Sequence, residues 1–185
     1  MQAFLVSFGA VALAEIGDKT QLLSLVLAAK FRRPWPICAG ILFASLVSNA
    51  IAAEVGAWLA HWMTPEVQRW LIGLSFLAVA AWALLPEKAD DAEAATGRGR
   101  GVLAATLIAF FLAELGDRTQ VATAVLGAHY APLWQVIAGS TAGMLAANVP
   151  VVFLGARFAA RLPLRVARLG AALLFALLGL WILLR

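Results

Sequence analysis

About six apolar runs, each long enough to cross a lipid bilayer as a helix, set the first limit on what this chain can become. Of its 185 residues, 63% are hydrophobic and 13% charged, against roughly 25% charged in soluble domains. The runs fall at about 3–29, 35–60, 67–85, 103–128, 134–159 and 166–184. They predict an all-α integral membrane protein with six transmembrane helices in one transmembrane domain. The stretch 86–101 is the one long polar segment and reads as a flexible, solvated linker. The first run begins at Ala3, has no basic segment before it and contains charged residues, so it does not read as a cleavable signal peptide. A lone cysteine, Cys38, excludes an internal disulfide. The net charge of +4 comes from loop arginines, which the positive-inside rule explains better than nucleic-acid binding does.

Two of the runs carry charge at their centres. Glu15-Ile16-Gly17-Asp18-Lys19-Thr20-Gln21 and Glu114-Leu115-Gly116-Asp117-Arg118-Thr119-Gln120 each set two acids and a base where hydrocarbon would surround them. An Asp, Lys or Arg at the centre of a membrane helix costs about 3 kcal/mol, so six such groups left unpaired would cost on the order of 15 kcal/mol. Charges at that depth point to an ion path or proton relay.

The motifs belong to a duplication. A gapless shift of 99 residues superimposes Glu15 on Glu114, Asp18 on Asp117, Gln21 on Gln120, Trp35 on Trp134, Gly40 on Gly139, Asn49 on Asn148, Gly56 on Gly155 and Trp82 on Trp181. About a third of the aligned pairs are identical, and the matches run the length of the unit. Repeat one covers 3–85 and repeat two 102–184. Three spans per copy is an odd number, so the second copy enters the membrane from the opposite side. The expected fold is therefore two inverted-topology three-helix repeats with a site at the midplane between them. Lys30, Arg32, Arg33, Lys88, Arg98, Arg100, Arg157, Arg161, Arg165 and Arg168 fall on one side of that topology, and Arg69 and Arg185 on the other. The basic side is expected to be cytoplasmic, with both termini and the opposite face outside, and the 86–101 linker inside.

Residues three and four apart share a helix face, so Glu15, Asp18 and Lys19 are expected to project together, as are Glu114, Asp117 and Arg118. Inversion would bring the two faces together, with Asn49 and Asn148 at similar depth and Thr20, Gln21, Thr119 and Gln120 nearby. Such a set offers hard oxygen donors without thiolate or imidazole, which suits calcium, magnesium or manganese over zinc or copper. Four acids against Lys19 and Arg118 leave two negative charges, which one divalent ion or two protons would neutralise. Protons and metal then compete for the same oxygens, as an antiporter requires. Glu15, Asp18, Glu114 and Asp117 are the expected metal ligands, and Gln21, Gln120, Asn49 and Asn148 the additional candidates. Lys19 and Arg118 are the charge-compensating bases.

Each expectation has a plainer counterpart. Glu15 with Lys19, and Glu114 with Arg118, have the spacing of simple intrahelical ion pairs. Asn49 and Asn148 would serve equally as interhelical hydrogen-bonding residues. Gly17 and Gly116 suit either close helix approach or a local break exposing backbone carbonyls, and Gly40, Gly56, Gly139 and Gly155 suit tight packing. Pro150 is placed to kink the fifth helix.

The doubled E-x-G-D-[KR]-T pattern resembles the signature of a family of small divalent-cation/proton antiporters. That family includes bacterial manganese exporters, chloroplast manganese transporters and Golgi calcium/manganese transporters. The resemblance covers essentially the whole chain. It implies export of manganese or calcium in exchange for protons, with Glu15, Asp18, Glu114 and Asp117 as ligands and the metal as cargo, with no prosthetic group. The absence of a long N-terminal extension fits a bacterial inner-membrane protein, and a homodimer is left open. Two other readings stay open from the residues: an exporter of a cationic amino acid or other organic cation, and a passive cation channel. A membrane enzyme is disfavoured, because no Ser/His, Cys/His or His-containing metal dyad lies at a shared depth.

Overall fold

The computed structural model describes residues 1–84, 101–155 and 164–184, and in these it is all helical. The helices are α1 (Gln2–Glu15), α2 (Lys19–Phe31), α3 (Pro34–His61), α4 (Pro65–Ala83), α5 (Val102–Glu114), α6 (Arg118–His129), α7 (Leu133–Leu154) and α8 (Leu164–Leu184). The linker expected over 86–101 lies, apart from Gly101, outside the described residues, as does the tail of the fifth expected helix.

The first and fourth apolar runs depart from expectation. Neither is one continuous helix: 3–29 divides into α1 and α2, and 103–128 into α5 and α6. The cause is local. Gly17 and Gly116 take φ of +82° and +73°, a left-handed conformation that costs a residue with a Cβ about 1 kcal/mol or more. The preceding Ile16 and Leu115 are extended, so the chain leaves one helix and re-enters another within three residues. Asp18 and Asp117 then occupy the N-cap positions of α2 and α6. The shared helical face expected for Glu15, Asp18 and Lys19 therefore does not exist, and their proximity depends on the turn.

Other boundaries follow ordinary signals. Thr64 caps α4, accepting from the Val67 amide at 3.4 Å, with Pro65 at the first helical position and Glu66 in the first turn. Pro150 is absorbed within α7, which continues to Leu154 before Gly155 ends it in the left-handed region.

Packing exchanges the two copies. Helix α1 lies against α7, and its repeat counterpart α5 lies against α3. Helix α2 meets α7 while α6 meets α3, and α4 packs on α8. Phe76 and Phe175 stand 99 residues apart, both fully buried, and stack on each other with ring centroids 6.1 Å apart. A residue packed on its own repeat equivalent is what a self-complementary, two-fold contact produces.

Small residues let these helices approach closely. A Cβ on Gly56 would lie 1.9 Å from the Ala124 carbonyl oxygen on α6, and one on Gly127 would lie 2.5 Å from that of Ala53 on α3. Gly139 meets the Phe4 carbonyl of α1 in the same way, at 2.5 Å, and Gly40 meets Thr106 of α5 at 2.7 Å. The packing role expected for Gly40, Gly56 and Gly139 holds, whereas Gly155 has open space around it and serves as a helix terminator. The Gly56→Ala variant should lower thermal stability by about 1–3 kcal/mol, because the obstructing atom is backbone and neither helix can yield locally. Thermal unfolding of the purified protein checks this.

The exterior is apolar. Trp35, Trp58, Trp62, Trp134, Leu46, Val47, Leu74 and Leu173 are among many exposed large side chains, far more than a water-soluble monomer tolerates. Among the described residues, α3 and α7 are the unbroken helices long and apolar enough to cross a membrane.

Candidate metal site

The two breaks face each other in the interior. Glu15 ends α1 and Asp18 begins α2; Glu114 ends α5 and Asp117 begins α6. All four carboxylates are buried, with exposures of 0–1%. Asp is among the best N-capping residues, yet neither Asp18 nor Asp117 uses its side chain to cap its own helix. Both carboxylates instead reach across to the other copy.

Two ion pairs cross between the copies. Arg118 Nη2 donates to Asp18 Oδ1 at 2.7 Å, and Lys19 Nζ lies 3.5 Å from Asp117 Oδ1. They are repeat equivalents of one another, since each base pairs with the motif aspartate of the opposite copy. The intrahelical pairs that the spacing permitted, Glu15 with Lys19 and Glu114 with Arg118, are not the ones formed, because the breaks remove the continuous helix they require. The two bases differ in setting. Arg118 is 2% exposed and also donates to the Ala14 carbonyl at 3.2 Å, satisfying an orphan acceptor in the last turn of α1. Lys19 is 29% exposed.

One oxygen each from Glu15, Asp18 and Asp117 lies within 4.8 Å of the other two. Two oxygens on opposite sides of a hard divalent ion stand about 4.2–5.2 Å apart, given metal–oxygen distances of roughly 2.1–2.6 Å. The three carboxylates thus have the spacing of one ion's ligands. Glu15 Oε2 accepts hydrogen bonds from the Thr20 hydroxyl and, at 3.4 Å, from the Asn148 amide. Its other oxygen, Oε1, is buried with no hydrogen-bond partner, an arrangement that costs about 1–3 kcal/mol unless something occupies it. Asp117 Oδ2 accepts from Thr119 at 2.9 Å.

Glu114 stands apart from this group of three. Its Oε1 accepts from Ser45 of α3 at 2.8 Å. The repeat equivalent of Ser45 is Met144, which offers Glu15 no hydroxyl, so the two glutamates sit in different surroundings despite the duplication. Of the four carboxylates expected from the motifs to converge, Glu15, Asp18 and Asp117 meet the 4.8 Å spacing.

The glutamines hold the breaks. Gln21 Oε1 accepts from the Gly17 amide at 2.9 Å and Gln120 Oε1 from the Gly116 amide at 2.8 Å. Their amide nitrogens donate to the Ala147 carbonyl at 3.0 Å and the Ser48 hydroxyl at 3.2 Å, tying each break to the facing long helix. Asn148 accepts from Ser24 at 2.8 Å, and Asn49 accepts from Thr123 at 3.1 Å while donating to Thr141 at 3.3 Å. Both asparagines make interhelical hydrogen bonds, and Asn148 alone of the two touches a motif glutamate. Ser24, Ser45 and Thr123 did not stand out in the sequence. Ser24 and Thr123 carried a usable signal, since they are hydroxyl residues 99 apart and one turn beyond Thr20 and Thr119.

Helices broken at their charged centres, with clustered carboxylates inside an apolar-surfaced bundle, are features that a membrane transporter of cations would carry. The chain belongs to the divalent cation/proton antiporter family GDT1, whose family model matches residues 3–91 and again 102–185, once over each repeat. It is 49% identical over 181 residues to a Vibrio cholerae protein described as "Putative manganese exporter", covering 97% of this chain and 90% of that one. It is also 30% identical over 194 residues to a GDT1-like protein of Synechocystis, covering 95% and 93% of the two chains. No solved structure matches it.

Proposed function

We propose that this protein exports a divalent cation, manganese foremost and calcium second, from the bacterial cytoplasm in exchange for protons, by alternating access at a single site. The observation that carries the reading is the group formed by Glu15, Asp18 and Asp117, drawn from both motifs and gathered within 4.8 Å. These three are the proposed ligands. Glu114 acts beside them as a separately held carboxylate, and Gln21, Gln120, Asn49 and Asn148 position the helices that carry them. The all-oxygen donor set favours hard ions. The similarity to a protein described as a manganese exporter narrows the ion.

Exchange follows from charge. With Lys19 and Arg118 counted against the four acids, the site keeps two negative charges, enough for one divalent ion or two protons. A proton on any ligand oxygen removes a metal contact, so the two cargoes exclude each other. Lys19, the more exposed base, leaves Asp117 as the metal arrives, while Arg118 remains on Asp18.

The membrane arrangement belongs to the same proposal: six spans as two inverted three-helix repeats, in the inner membrane, with both termini outside. It is supported by the 99-residue repeat, the exchanged helix pairing and the distribution of basic residues. The contact between the Met1 amino group and Gln135 Oε1 at 2.8 Å also supports it, since it joins two ends this topology assigns to one side. One chain supplies both motifs, so no second copy is required.

The test is a proteoliposome flux assay under an imposed pH gradient with manganese, calcium and magnesium in turn. Manganese or calcium flux that collapses when the gradient is dissipated supports the reading. If the liposomes pass no divalent ion, or pass it at an unchanged rate without the gradient, exchange is excluded. The same liposomes loaded with lysine or arginine test the organic-cation alternative. The 4.8 Å spacing favours a bare ion over it, since an ammonium group needs room for its carbon chain.

A further inference from the structure

The three proposed ligands supply oxygen alone, and oxygen donors by themselves do not separate manganese from calcium or magnesium. A break in the repeat symmetry beside the site places a different kind of donor there. Where the first copy has Ser45, whose hydroxyl donates to Glu114 Oε1 at 2.8 Å, the second copy has Met144.

Met144 lies in polar company. It is 1% exposed, yet it belongs to neither of the two main apolar clusters of the interior. Residues three and four away share its face of α7, and all of them make polar contacts. Ser140 Oγ lies 3.2 Å from the Thr123 hydroxyl, and Thr141 accepts from Asn49 at 3.3 Å. The Ala147 carbonyl accepts from Gln21 at 3.0 Å. Asn148 completes the stripe, its amide nitrogen 3.1 Å from the Met144 carbonyl and 3.4 Å from Glu15 Oε2.

The helix register brings Met144 level with Glu15. Helix α7 lies against α1, and a Cβ on Gly143 would lie 2.7 Å from the Phe8 carbonyl and 2.9 Å from the Ala12 amide. Helical side chains tilt toward the preceding turn, so Glu15 leans back over the turn that holds Ala12. Its Oε1, buried with no hydrogen-bond partner, therefore belongs to the level of α7 that carries Met144. Ser45 reaches Glu114 from the equivalent position.

We propose that Met144 determines the ion specificity of the site, its thioether sulphur meeting the ion beside Glu15 Oε1. Thioether sulphur is soft and polarisable, so it adds to the binding of a transition ion and almost nothing to that of calcium or magnesium. The site then ranks manganese above calcium by donor softness, and admits softer ions as well. The inference deepens the proposed function and rests on Glu15, Asp18 and Asp117 holding one ion.

Equilibrium competition among manganese, calcium and cadmium on the purified protein tests it. Cadmium is soft yet close to calcium in size, so it separates softness from fit. The wild type should bind both manganese and cadmium in preference to calcium. Met144→Leu, a volume-conserving change, should lower the manganese-to-calcium and cadmium-to-calcium ratios by roughly tenfold or more. Tenfold is the low end of what losing even an indirect partner costs a metal site. Met144→Ser, which installs the residue of the first copy, should lower both ratios too, and its ratios decide the matter if the leucine variant does not fold. A methionine that only fills space would weaken every ion alike when replaced. Unchanged ratios in a variant of wild-type melting temperature therefore overturn the inference, as does a wild type that prefers calcium to cadmium. A manganese ratio that falls while the cadmium ratio holds would mean selection by size, and overturns it too. Flux on the same preparations separates the two readings. Unchanged ratios with intact pH-driven flux refute the role of Met144 alone, whereas ratios that fall as expected without any pH-driven flux refute the exchange.

Discussion

Glu15→Gln is expected to reduce manganese binding and pH-driven flux by at least about a hundredfold while leaving the fold intact. Losing a residue that merely orients a metal ligand already costs 10–100-fold, and Glu15 is proposed as a ligand itself. The substitution is nearly isosteric. Its amide oxygen still accepts from Thr20 and Asn148, the partners recorded for Oε2, so the local packing has no reason to change. What disappears is the anionic character of Oε1, the buried oxygen with no hydrogen-bond partner. Titration calorimetry with manganese and liposome flux measure the two effects separately. Glu114→Gln provides the contrast: Glu114 is outside the group of three and bonded to Ser45, so its loss should impair binding much less than it impairs exchange. Equal losses of binding in the two variants would mean that the ligand set is symmetric and the asymmetry at Ser45 irrelevant.

The second large effect concerns stability. Arg118→Ala should destabilise the protein by about 3–5 kcal/mol, because it removes the charged partner 2.7 Å from the buried Asp18 carboxylate. Lys19→Ala should cost less than Arg118→Ala, since that pair is 3.5 Å apart and its base is 29% exposed, although Asp117 is itself buried and loses a counter-charge. The double variant Asp18→Asn/Arg118→Ala should recover much of the loss, because removing both charges relieves the desolvation that removing one leaves uncompensated. It should not recover transport, having lost a proposed ligand. Thermal unfolding of the wild type, Asp18→Asn, Arg118→Ala and the double variant in one detergent forms a complete cycle. A double variant no more stable than Arg118→Ala would show that Arg118 acts through the Ala14 carbonyl or through packing, and that its pairing with Asp18 is secondary.

These predictions depend on a cross-repeat arrangement that the order of residues pointed toward without specifying. The duplicated motif, its apolar setting and its hard-oxygen chemistry were all readable, because each depends on residue type and spacing along one chain. The family resemblance followed from one seven-residue motif present twice, with Ile16 and Lys19 replaced by Leu115 and Arg118 in the second copy. The break at Gly17 and Gly116 was foreseen as one of two options. Choosing between them requires knowing whether something stabilises a left-handed glycine there, and the stabilising groups are Gln21 and Gln120 folding back on the glycine amides. Those glutamines were candidate ligands in the sequence by depth and repeat symmetry, and nothing in a linear pattern reveals that each oxygen accepts from a glycine amide.

The swapped ion pairs show the same divide. At i,i+4 spacing a glutamate and a base on one helix are neighbours, so the linear pattern allowed a pairing of Glu15 with Lys19. Breaking the helix rotates the base away, and the two-fold contact supplies Asp117 in its place. Likewise, duplication implied four equivalent acids, yet Ser45 donates to Glu114 where its repeat equivalent, Met144, has no hydroxyl to offer Glu15. The apolar character, the repeat and the identity of the charged groups are properties of composition and period, so the sequence alone was enough to establish them. Which acid meets which base, and which three carboxylates share a space the size of one ion, are properties of distances between residues about 100 apart. Those distances exist only once the two copies have packed against each other.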